Sequence, residues 1–91
     1  MAVSDLENIF KFISLEKPHS AERFLSAASH TFKLLASHPE IGRARSLPPE
    51  KGVRSFAIHR FPAYLTFYRA KPNGVQILRI FHGARNVVGR L

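Results

Sequence analysis

The sequence predicts an α+β domain in which a helical hairpin packs on one face of a three-stranded antiparallel sheet. Three observations predict it. The apolar residues recur with a helical period up to Pro39 and alternate with a period of two beyond residue 52, and the proline and glycine residues collect where the period changes. At 91 residues the chain has room for one modest core and not for two. We therefore take residues 1–91 as a single domain. A 45% hydrophobic and 22% charged composition is that of a folded domain rather than a disordered tail.

The first helix is marked by Leu6, Ile9, Phe10 and Ile13 at i, i+3, i+4 and i+7. Ser4 followed by Glu7 has the spacing of a capping box, so the helix is expected to start there. Lys17 precedes Pro18 and is pushed out of the helical region, which ends that helix. Pro18 suits the first turn of a second helix. Ala21, Phe24, Leu25, Ala28, Phe32 and Leu35 share one face of it, and it should stop before Pro39. The short join implies an antiparallel hairpin.

Residues 38–52 hold three prolines and two glycines and read as a long loop. Strands are expected over about 53–59, 63–70 and 75–82. Lys71-Pro72-Asn73-Gly74 has turn chemistry between the last two, and Pro62 stands at a strand entrance, where its missing N–H does least harm. Alternation would direct Phe56, Ile58, Leu65, Phe67, Leu78 and Ile80 toward the helices. Tyr64, Tyr68, Val75, Ile77, Arg79 and Phe81 would then form the other face. That second face is too apolar for solvent alone. Its cover is a satellite core under the tail (Val87, Val88, Leu91), another copy of the chain, or a partner protein, since arginine-rimmed aromatic patches commonly form interfaces.

Charge is segregated along the chain. Residues 1–50 carry six basic and six acidic side chains and sum to zero, whereas residues 51–91 carry eight basic groups and no acid. The net charge of +8 thus belongs entirely to the sheet-forming half, and it favours an acidic or polyanionic partner. Cysteine is absent, which excludes disulfides, thiolate nucleophiles and cysteine metal sites. No apolar run approaches a membrane span and no signal-peptide core opens the chain, so a cytoplasmic location is expected. Neither a cofactor nor a metal is expected. His19, His30 and His38 lack ligand spacing, and Gly83 and Gly89 are isolated rather than part of a phosphate loop.

One further set of residues carries a family likeness. It runs Asp5-Leu6, Ile9, Ile13, Pro18, Ala21, Phe24, Leu35, Pro39 and Ile41-Gly42-Arg43. It continues through Arg54-Ser55, Tyr64-Leu65, Phe67-Tyr68-Arg69 and Ile77-Leu78-Arg79-Ile80 to His82-Gly83-Ala84-Arg85-Asn86. In order and spacing this resembles the ParE branch of the RelE/ParE toxins. Two departures stand out. The family opens with a β-strand, of which Met1 to Leu6 match only the end of the following segment. Either the start lies upstream or the strand is missing, and a missing strand would leave a sheet edge open to self-association. Asn86 stands where ParE-like proteins usually have aspartate.

The resemblance implies the toxin of a type II toxin–antitoxin pair. Such a toxin arrests growth by binding and poisoning DNA gyrase, and a cognate ParD-like antitoxin with an acidic flexible tail silences it. Arg54, Tyr64, Tyr68, Arg69, Arg79, Phe81, His82, Arg85 and Asn86 are the expected target or antitoxin contacts. Two alternatives remain. RelE-like relatives cut messenger RNA on the ribosome, a reaction that needs a base, an acid and cations around the phosphate. Here that would fall to His82 with Arg54, Arg79, Arg85 and Tyr68; Glu50, Lys51 and His59 are other bases and Tyr64 another acid. The second alternative is a non-toxic nucleic-acid binder that stacks bases on Tyr64, Tyr68 and Phe81.

Overall fold

The computed structural model describes residues 2–46 and 51–83. Helix α1 spans Ala2–Glu16 and helix α2 spans Pro18–Ser37. Strands β1 (Arg43–Ala44), β2 (Arg54–Ile58), β3 (Phe61–Lys71) and β4 (Gly74–His82) form one antiparallel sheet in the order β1-β2-β3-β4. The predicted architecture holds, with one more strand than expected.

That strand is β1. It pairs Arg43 with Ser55 and Ala44 with Arg54, and the Arg45 amide extends the ladder to the Val53 carbonyl at 2.8 Å. Two residues are too few to show a period of two, and these lie in a proline-rich stretch that reads as loop. A second correction concerns α1. The helix already runs at Ala2, which puts Ser4 inside it, so Ser4 and Glu7 do not form the start. The junction of the helices is as expected: Pro18 opens α2, and the Lys17 carbonyl accepts the Ser20 and Ala21 amides at 2.9 and 3.2 Å.

The core lies between the helices and one sheet face. Phe24, Ala27, Ala28, Ile58 and Ile80 are buried there, with Leu6, Ile9, Ile13, Phe61, Tyr64 and Ile77 packed against them. Phe24 meets the edges of Phe61 and Tyr64 at centroid distances of 5.3 and 5.2 Å, a favoured aromatic geometry. The tip of the β2–β3 hairpin is tied to α2 through Thr31. Its hydroxyl donates to the Ala27 carbonyl at 2.8 Å and accepts the His59 amide at 2.9 Å.

The two sheet faces differ from the simple alternation. Cross-strand partners share a face. The register aligns Tyr64 with His82, Thr66 with Ile80, Tyr68 with Ile77 and Ala70 with Val75. Tyr64, Tyr68, Val75 and Ile77 therefore lie on the helix side, opposite to expectation, and Leu65 and Phe67 take the other face. The cause in β4 is a bulge. Phe67 faces Arg79 and Tyr68 faces Ile77, which leaves Leu78 as the extra residue. One inserted residue puts Ile77 and Ile80, three apart, on the same side.

A candidate docking surface on the open sheet face and the β4 edge

The open face is built by strand alternation from β2, β3 and β4. Phe67 and Phe81 meet edge to face at 6.0 Å. Arg79 lies 4.6 Å over the Phe81 ring and Arg45 lies 5.9 Å over Phe67. Arg45 is oriented by a 2.7 Å hydrogen bond from Nε to the Ser55 hydroxyl, and Arg69 Nε donates to Gln76 Oε1 at 3.2 Å. Phe67 is buried and Phe81 half-buried, so the surface consists of guanidinium groups laid across aromatic rings. Such a surface can hold carboxylates while burying apolar side chains.

At the β4 edge, Arg79 turns toward α1. Its Nε and Nη2 donate to the two carboxylate oxygens of Asp5 at 2.7 and 3.0 Å, and the Ile80 amide donates to the same carboxylate at 3.0 Å. Burial raises the Asp5 carboxyl. The hydrogen bonds from Arg79 and the Ile80 amide, together with the Arg79 charge, outweigh it and hold the group below its ordinary value. The hydrogen bond to Asp5 raises Arg79 in turn, against the opposing effect of burial. Asp5 and Arg79 were both in view in the sequence, yet nothing there links residues 74 positions apart.

Several expected contact residues have internal work instead. Tyr68 is fully buried; its hydroxyl donates to the Pro39 carbonyl and accepts the Gly42 amide, at 2.8 and 2.9 Å. Arg54 Nη1 donates to the carbonyls of Gly42 and Glu40 at 2.8 and 3.2 Å. Together the two side chains brace the segment that leads from α2 into β1. Tyr64 packs between Phe24 and His82, whose ring meets its own at 5.1 Å. Arg79 and Phe81 remain on the open face as expected, and Arg69 lies on the same face by its register with Gln76. Arg45, which was not singled out because it lies in the apparent loop, joins them. Arg85 and Asn86, the tail residues Val87, Val88 and Leu91, and Glu50 lie outside the described residues.

The proposed catalytic set does not converge on one point among the described residues. Arg54 and Tyr68 face the 39–42 segment, His82 packs on Tyr64, and Arg79 is held by Asp5. His59 sits at the β2–β3 tip beside His30, with ring centroids 4.9 Å apart. No group of three or more metal-binding side chains occurs among the described residues. Nor is any described helix long and apolar enough to cross a membrane.

Fold and surface together define a small basic α+β domain that presents an arginine–aromatic sheet face. Residues 1–87 match the family of the ParE toxin of the type II toxin–antitoxin system parDE, and the chain belongs to that family. Among solved structures it is similar to the chromosomal ParDE toxin–antitoxin system from P. aeruginosa, with 26% sequence identity and a TM-score of 0.70. That match covers 89% of this chain and 86% of the other. No curated protein matches it.

Proposed function

We propose that the protein arrests bacterial growth by binding and poisoning DNA gyrase, and that a cognate ParD-like antitoxin with an acidic, flexible tail neutralises it. The observation that carries this reading is the arginine–aromatic face of a ParE-family chain, formed by Arg45, Phe67, Arg79 and Phe81. Eight basic groups and no acid in residues 51–91 add a field that attracts an acidic tail. The half-buried Phe81 ring gives that tail apolar surface to bury, which a segment that folds on binding requires.

Action by binding rather than turnover is supported by where the nuclease candidates point. Arg54 Nη1 and the Tyr68 hydroxyl are spent on the segment leading into β1, so they are not arrayed around a vacant phosphate position. The test is direct. Purified protein should trap gyrase-cleaved DNA and leave translated messages intact. New message ends soon after induction, lost in a His82→Ala variant, would replace this reading with a ribosome-dependent nuclease. Growth that continues normally under induction would leave only a nucleic-acid binder.

A further inference from the structure

Helix α1 is apolar on two sides. Leu6, Ile9 and Ile13 pack against the core, yet no residue of Ala2–Glu16 is fully buried. On the outer side Val3, Phe12 and Leu15 are 72%, 56% and 87% exposed, three of the five large apolar side chains exposed among the described residues. A surface helix ordinarily turns charged and polar residues to solvent there. Val3 and Leu15 belong to one row, Val3-Glu7-Lys11-Leu15, spaced four apart along the helix. At 3.6 residues per turn the middle of that row lies opposite Ile9, so the row points away from the core. Neither Glu7 nor Lys11 is ion-paired with another described residue.

The row complements a reversed copy of itself, apolar against apolar at its ends and acid against base in its middle. We propose that two copies of this chain pair through this row, with their α1 helices antiparallel about a two-fold axis between Glu7 and Lys11. Glu7 of each copy then lies beside Lys11 of the other, and Val3 of each beside Leu15 of the other. Rows of residues four apart are the ridges of the commonest helix packing, in which the axes cross at about −50° and the two rows run parallel. Such a contact uses the same patch on both copies and closes on itself, so the assembly stops at two. Charge favours this side of the molecule. Residues 1–37 carry four basic and four acidic side chains, whereas the net charge of +8 belongs to residues 51–91. Two copies that meet by their helices keep those like charges far apart. The pair also leaves both open sheet faces turned outward, because α1 covers the opposite side of the sheet, and it is therefore bivalent toward any partner of those faces.

Sedimentation equilibrium of the full chain tests this. A contact of one helix face falls below the roughly 1,200 Å² of a standard interface, so a dissociation constant of roughly 10–500 µM is expected. Glu7→Lys and Lys11→Glu each set like charges against one another across the contact and should weaken self-association roughly tenfold or more. An equimolar mixture of these two variants should restore it, because each then meets the opposite sign. Leu15→Glu should weaken it by a similar factor. All three sites are exposed, so the unfolding temperature reports whether the fold persists. In the isotope-labelled chain, dilution should shift the amides of residues 3–15.

The proposal is overturned if the chain stays monomeric up to about 1 mM, which would leave the row to a helix of another protein. It is overturned equally by charge variants that associate as well as the parent chain, or by a mixture of them that stays monomeric. Dilution shifts centred on β4 would make the sheet edge the contact and overturn it as well. These readouts involve neither gyrase nor an antitoxin, so their failure leaves the toxin reading standing.

Discussion

Asp5 ties α1 to β4 twice over, since one carboxylate meets the Arg79 side chain and the Ile80 backbone. Replacing it with asparagine keeps the shape and removes the charge. Hydrogen bonds to charged groups contribute roughly 1.5–3 kcal/mol each way, so Asp5→Asn should cost about 1–3 kcal/mol in urea unfolding at neutral pH. The pH dependence has a definite sign. The folded carboxyl titrates below its ordinary value of 3.8, so its contribution is complete above that value. It fades as the pH falls through the lower folded value. The gap between wild type and Asp5→Asn should therefore close in acid; a gap of equal size at all pH would mean that the pair is not its source. Thr66 is the opposite case. Its hydroxyl is fully buried and has no hydrogen-bond partner among the described residues. Thr66→Val, nearly the same shape, should be neutral or stabilising by up to about 1 kcal/mol. A clear loss of stability would show that the hydroxyl has a partner, such as a bound water.

At the scale of elements, the segment joining α2 to β1 is held by side chains from the sheet. Tyr68 accepts the Gly42 amide, and a Cβ at Gly42 would collide with the Tyr68 ring and hydroxyl. Tyr68→Phe strands the buried Gly42 amide and should cost about 1–3 kcal/mol, with faster exchange of that amide. Gly42→Ala should cost a similar amount, about 1–3 kcal/mol, by overpacking. If the two losses add in the double variant, the two sites are independent and the brace is not one unit. The same elements show what could be read from the chain. Both helices and the three long strands were legible because apolar spacing and proline placement mark them over many residues. Strand β1 was not, since a two-residue strand carries no period. The faces of β3 and β4 were misjudged for a local reason. A bulge at Leu78 breaks the alternation of β4, and Thr66, polar by type, takes an inward position that the pattern would give to its apolar neighbours. Arg69, Arg79 and Phe81 were legible as surface residues. The bracing roles of Arg54 and Tyr68 depend on carbonyls 12 and 29 residues away, which no linear pattern reports.

For the whole molecule, the segregation of charge predicts how it should meet an antitoxin. Steering by a one-sided field is screened over about 8 Å at physiological salt. Association with the antitoxin should slow steeply as salt is raised, while dissociation changes less. Arg45→Glu, on the open face, should lower the association rate and flatten that salt dependence. An unchanged salt slope in this variant would remove the open face from the encounter.

The two rims of the sheet are unequal: a stub of two residues at β1 and a nine-residue run at β4. Polymerisation by strand addition needs two usable sides, one to receive and one to offer. A molecule with a single adequate side can capture one visitor and then has nothing left to extend. Crowded or overproduced, this protein should accordingly not grow into fibrils by strand addition.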